Sequence, residues 1–477
     1  MSLPVLPPAG LSRRTWLRQA GNGFGALALA GMLTKDSTSP AGEPIASTRT
    51  HHPPRATSVI WLFMNGGPSQ IDTWDYKPEL ARRDGQELAG LDPTTGFFPA
   101  AIGPVMRSPF SFRKYGECGH WASELFPCLA QHVDEMAFLP ACWAESNNHS
   151  PALFQMNSGF TRQGLPCFGA WATYGLGDLN HNLPSFVVMT DPWKRGLPKG
   201  HGQNWTAGFL PASAQGTVIS NDGPLMPFLQ SPHETVGVNH RDKVDLLADL
   251  NREYAVHSGF QDRMTERLAT FELAMRMQSA LPEVSDLATE TAATQALYGL
   301  NDERCAPFGR QCLIARRLVE QGVRCIQIYS GGTENEQSWD GHQNIEVNHR
   351  RFAGETDRPI AGLLADLKQR GLLDSTLVIC NGEFGRLPIV QRGGSGRDHN
   401  PHAFTTWLAG GGIRGGVTFG QTDELGFRGI ENRVSIPDLH ATLLWQLGLD
   451  HERLTYRHHG RDFRLTDVAG RVIREIL

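Results

Sequence analysis

Between Ala56 and the C-terminus, short runs of β-branched and aromatic residues alternate with longer stretches in which apolar residues recur every three or four positions. A run of the first kind buries both faces of an extended strand, and a stretch of the second kind buries one face of a helix. The short runs predict strands at Ser58 to Met64, Glu135 to Leu139, Ser185 to Thr190, Val323 to Tyr329, Thr376 to Cys380 and Ala403 to Ala409. Among the helical stretches, Val244 to Ala280 has the spacing of two long amphipathic helices and, with Leu281 to Leu300, reads as a cap or insertion at 240–300 outside the sheet. Leu439 to Leu447 reads as a late core helix, begun by SIPD and stopped by Gly448. Strands alternating with helices specify an α/β fold with a mostly parallel central sheet flanked by helices. No internal repeat is present.

Several of the strand runs end in polar or metal-binding residue types. NGGPSQID follows the first, SNNHSP the second, SWDGHQN the fourth and NGEFGR the fifth, and then comes GRDHNPH. In open α/β sheets ligands sit beyond the carboxyl ends of strands. The densest constellation there is Asp340, His342, Glu383, Asp398, His399 and His402. Together these offer the carboxylate and imidazole ligands of a divalent metal site for Zn, Ca, Mg or Mn. The plain alternative is solvated loop polarity with a histidine or two at helix ends.

Length and charge narrow the function classes. With 477 residues, 40% hydrophobic and 19% charged, the chain can bury a large core, and a net charge of -5 without a dense Lys/Arg block argues against nucleic acid as a partner. The segment SRRTWLRQA precedes an apolar run too short to span a bilayer, the pattern of a twin-arginine export signal. Residues 1–34 are thus expected to be a signal read by the twin-arginine machinery, 35–55 a Pro/Ser/Thr/Gly-rich linker, and 56–477 the folded part, in the bacterial periplasm or outside the cell. No later stretch reaches transmembrane length. The eight cysteines show no CxxC spacing. Cys325 and Cys380 read as packing residues, leaving Cys118, Cys128 and Cys142 as candidates for oxidation.

NGGPSQIDTWDYKP, NNHSPALFQMNSG, SWDGHQN, NGEFGRLPIVQRGGSGRDHNPHAFTTWLAGGGIRGG and IPDLHATLLWQLGLDHERLTYRHHGRDFRLTD together resemble the exported bacterial family called domain of unknown function 1501. That family is similar to the alkaline phosphatase and sulfatase superfamily. The resemblance implies one large α/β domain, and metals bound beyond its strand ends. It also implies hydrolysis or transfer of phosphate or sulfate esters, whether of small molecules or of polysaccharide. On it, Asp340 and His342 match the late Asp/His pair, Glu383 the acidic strand-end ligand and His399 the last histidine, while Asp72, or else Asn65, supplies the early ligand. Phe384 stands where a further histidine is expected, and no C/S-x-P-x-R motif is present, which argues against a formylglycine sulfatase.

Ser150, before Pro151, is the candidate nucleophile, with a plain helix N-cap as its other reading. His149 would contact metal or phosphate, and Arg386 and Arg397 would either hold ester oxygens or form structural ion pairs. Two functions remain: a metal-dependent ester hydrolase or transferase, and a catalytically inactive envelope protein of the same fold that binds polysaccharide or a protein partner.

Overall fold

The computed structural model describes residues 50–88, 96–98, 102–220, 225, 246–247, 249–250, 253 and 261–477. The expected signal at 1–34 and most of the linker lie outside the described residues, as does much of the first half of the 240–300 insertion.

The central strands are β1 (Ser58–Met64), β2 (Met136–Trp143), β3 (Phe186–Met189), β4 (Thr217–Ile219), β5 (Cys325–Ser330) and β6 (Thr376–Asn381). After β6 come β7 (Gly385–Gln391), β8 (Arg397–Asn400), β9 (Phe404–Ala409) and β10 (Val417–Thr418). The large sheet runs β10-β2-β9-β6-β1-β5-β3-β4. β1 lies parallel to both β5 and β6, and β3 parallel to β5 and β4, while β9 runs antiparallel to β6 and β2. The sheet is therefore mostly parallel, as the pattern predicts, and its one reversed strand enters because β7 and β8 form a hairpin-like excursion before β9.

Helices cover both faces. Along β1, Ile60, Leu62 and Met64 point into one apolar cluster, and Val59, Trp61 and Phe63 into another, the period of two expected of a strand buried on both sides. The first cluster is closed by α4 (Ala306–Glu320), through Leu313 and Leu318, and by α5 (Ile345–Gln369), through Phe352, Ile360, Leu363, Leu364 and Leu367. The second is closed by α1 (His149–Ser158), α2 (Phe168–Leu176) and α6 (Ile436–Gln446). α6 starts with a Ser435/Asp438 capping box, and Gly448 follows its end at φ +80°, so both signals read from SIPD and Gly448 operate. α3 (Gln261–Ser285) is the described long helix of the insertion.

Among the described residues no helix is long and apolar enough to cross a membrane. All eight cysteines are free, and Cys142 is buried in β2, where burial pushes its thiol up to about 12; it is no oxidation candidate.

Candidate metal centre

β1 stops where its chain must pass beneath two other segments. Gly66 and Gly67 have φ of +109° and +71°. A Cβ on Gly66 would sit 2.6 Å from the Asp340 backbone nitrogen, and one on Gly67 would sit 2.7 Å from the Phe384 ring. Only glycine meets both demands, left-handed backbone and close approach. The turn it makes carries Gly66 N–H to Glu383, at 3.0 and 3.2 Å from the two carboxylate oxygens.

Around this turn, four side chains from distant segments converge. His149 comes from the start of α1, Asp340 and His342 from the loop between β5 and α5, and His399 from β8. One ligand atom from each lies within 4.8 Å of all the others, and all four residues are buried. Asp340 is the hub: its Oδ1 lies 2.9 Å from His342 Nε2 and 3.2 Å from His399 Nε2, and its Oδ2 lies 2.9 Å from His149 Nε2.

The far nitrogen of each ring is tied to an acceptor. His149 Nδ1 is 2.5 Å from Glu383 Oε1, His342 Nδ1 2.6 Å from Gln391 Oε1, and His399 Nδ1 2.6 Å from the Asn147 carbonyl oxygen. Each Nδ1 thus has an oxygen to donate to, and a neutral ring with its single proton there turns an Nε2 lone pair inward, the tautomer that a metal-binding imidazole adopts. His342 Nε2 and His399 Nε2 then face each other as two acceptors at 2.9 Å. His149 Nε2 is buried with no hydrogen bond although Asp340 Oδ2 is near. A cation at their common centre resolves both conflicts, so the residues present fit a divalent metal. Three imidazoles and one carboxylate suit zinc better than the all-oxygen preference of calcium or magnesium.

Electrostatics follow from this packing. Burial would raise the Asp340 carboxyl, but Arg386 and then His149 hold it well below the usual carboxylate range. Burial lowers His149 less than the carboxylates of Asp340 and Glu383 raise it, so without an ion its ring carries a second proton against Asp340, and a metal ion would displace that proton. His399 is driven well below that value by burial and then by the positive charge of His149.

The remaining predicted site residues sit elsewhere. Glu383 is behind His149 and not among the four. Asp72 is fully buried in an ion pair with Arg397, Nε to Oδ2 2.7 Å, and also accepts Ser69 Oγ–H at 2.6 Å. It therefore does not face the cluster, because the chain after Pro68 turns into the short helix Gln70–Thr73 and directs it to β8. Asn65 donates to the Gly331 and Gly332 carbonyls. Asp398 lies at the margin, its Oδ1 4.0 Å from His342 Nδ1 and its Oδ2 accepting from Phe98 N–H. His402 packs on Phe427, away from the cluster.

Neither arginine can clamp an ester. Arg386 is fully buried and donates to Gly66, Gly67 and Arg397 carbonyls and to Asp340 Oδ1, while Arg397 is spent on Asp72 and on the Leu387, Met106 and Arg107 carbonyls. Ser150 is half-buried in the first turn of α1, directly after His149. Asn148 takes the N-cap position, so Ser150 is not a cap, and its hydroxyl makes no hydrogen bond among the described residues.

Five contributors escape sequence reasoning. Lys199 places its ammonium 3.4 Å from Asp340 Oδ2 while keeping 26% of its side chain exposed, which makes it a cation at the mouth of the cluster. Gln391 and Asn147 orient histidines but carry no signal a motif could reveal. Phe97 and Phe98, both partly exposed, stand over His399 and His342 with ring centroids 5.2 and 5.3 Å away.

The sequence model of the family described as "Protein of unknown function (DUF1501)" matches residues 56–477. No curated protein matches the sequence. Solved structures to which the chain is similar include the PsFucS1 sulfatase from Pseudoalteromonas sp., at 13% identity and a TM-score of 0.36, covering 85% of this chain and 69% of that one. The lipoteichoic acid synthase LtaP from Listeria monocytogenes aligns at 8% identity and a TM-score of 0.33, covering 87% and 76%. The alkaline phosphatase from the Antarctic bacterium TAB5 aligns at 10% identity and a TM-score of 0.34, covering 83% and 99%.

Proposed function

This chain belongs to the DUF1501 family, and from that premise we propose that it is an exported, metal-dependent hydrolase or transferase acting on phosphate or sulfate esters. One observation carries the reading: the histidine nitrogens of His149, His342 and His399 converge with the Asp340 carboxylate, and each Nδ1 lies beside an oxygen acceptor. A divalent ion held there supplies charge neutralisation at ester oxygens and activation of a hydroxyl or water. The chain supplies the rest. Ser150 presents an unbonded hydroxyl beside His149 at the start of α1, and Lys199 offers an ammonium to the anionic part of an ester. Phe97 and Phe98 form an apolar wall for its organic part. The resemblance of SWDGHQN and GRDHNPH to the Asp/His motifs of the alkaline phosphatase and sulfatase superfamily supports the ester class.

A second reading is favoured by burial. Four protein ligands complete a tetrahedral zinc site, and structural zinc sites are closed whereas catalytic ones keep a position open. On that reading the protein is an inactive envelope member of the fold that binds polysaccharide or a protein partner. Metal analysis of the purified mature protein, run beside a panel of aryl phosphates and aryl sulfates, separates the two. Metal with turnover supports the enzyme, metal without turnover supports the binder, and absence of metal refutes both. Export is tested separately: Arg13 and Arg14 replaced together by Lys should hold the protein in the cytoplasm, and normal export of that variant would refute the signal assignment.

A further inference from the structure

Glu383 lies just past the end of β6, where a ligand carboxylate is expected, yet it is not among the four converging groups. Its Oε1 lies 2.5 Å from His149 Nδ1, and both its oxygens accept from Gly66 N–H. It is fully buried, so no water competes for the contact. The adjacent Phe384 ring packs against His149 and His399, centroids 4.8 and 4.5 Å away.

We infer that Glu383 is a positioning residue and not a ligand: it keeps a proton on His149 Nδ1 and so turns Nε2 toward the ion. This rests on the metal reading above and extends it. The physical reason is tautomeric. A neutral imidazole carries one ring proton, and a carboxylate at 2.5 Å is the strongest acceptor available to His149, so the proton resides there and the other nitrogen is left free to bind. Because His149 opens α1, the same contact sets the position of the helix start and of Ser150 beside it. The glycine turn belongs to this device, since Gly66 N–H shares the carboxylate and Gly67 makes room for Phe384.

The test compares zinc affinity, by chelator competition, and the electronic spectrum of the cobalt(II)-loaded full-length protein for wild type, Glu383→Gln, Glu383→Asp and Glu383→Ala. Glutamine keeps an acceptor oxygen at the same reach and should stay near wild type. Aspartate keeps the charge but withdraws it by one methylene, and it should weaken zinc binding, as should alanine, by about 10–100-fold. All variants that load cobalt should give the wild-type four-ligand spectrum. The opposite order, aspartate near wild type and glutamine severely weakened with an altered cobalt spectrum, would make Glu383 a ligand and overturn the inference. Unchanged zinc affinity in every variant, with only a lower melting temperature, would reduce Glu383 to a structural role and overturn it equally. If alanine fails to fold, the glutamine and aspartate order still decides. Zinc binding of the expected order without ester turnover would sink the hydrolase reading and leave this inference intact.

Discussion

Replacing Asp72 by Asn keeps the side chain's shape and removes its charge, leaving Arg397 buried without a counter-ion. Both residues are fully buried, and the pair is made by Nε to Oδ2 at 2.7 Å and Nη2 to Oδ1 at 3.2 Å. Breaking one side of such a pair costs about 3–5 kcal/mol, because the remaining charge keeps its desolvation penalty. The fold has about 430 residues from 50 onward, so its unfolding entropy is on the order of 0.9 kcal/mol per kelvin, and the melting temperature should fall by about 3–6 °C. Metal content should not change, since Asp72 lies outside the cluster. Burial raises the Asp72 carboxyl but Arg397 lowers it further, so the folded value lies below the unfolded one. The pair's contribution is therefore full above pH of about 4 and is lost as pH falls through the folded value, and the gap between wild type and Asp72→Asn should narrow there. The assay is a thermal melt by circular dichroism at several pH values, with metal quantified by mass spectrometry. Asp72→Leu combined with Arg397→Met should recover much of the loss, as apolar replacement of both partners removes the penalty. An unchanged melting temperature with loss of metal would refute the reasoning and return Asp72 to the metal site.

Gly66→Ala should both destabilise the fold and lower metal affinity, because a Cβ at φ +109° meets the Asp340 backbone at 2.6 Å; wild-type behaviour in a melt and a zinc titration would show that this turn has slack. Asp340→Asn should abolish metal retention, since it removes the only carboxylate among the four, and retained stoichiometry would place the ion elsewhere. Lys199→Met should raise KM for an anionic ester at least tenfold, about 1.4 kcal/mol, with metal content unchanged; an unaltered KM would remove Lys199 from substrate binding.

What could be read along the chain was local. β1 is legible to the residue because six consecutive apolar positions, Val59 to Met64, permit little but a strand buried on both faces, and α6 because SIPD and Gly448 are start and stop signals within one helix length. Asp340, His342 and His399 stood out because imidazole and carboxylate types sit just past apolar runs, and a parallel sheet brings such ends to one edge. Their partners had no such mark. Asp72 and Arg397 are 325 positions apart and His149 and Glu383 are 234 apart, and whether a carboxylate binds metal, pairs with arginine or holds a histidine proton depends on what faces it. Sequence determined the elements and the edge at which chemistry gathers, since both follow from neighbouring residues. Tertiary structure alone assigned Glu383, Asp72, Arg386 and Arg397 their partners, because a buried charge takes its role from the groups that long-range packing places within about 4 Å of it.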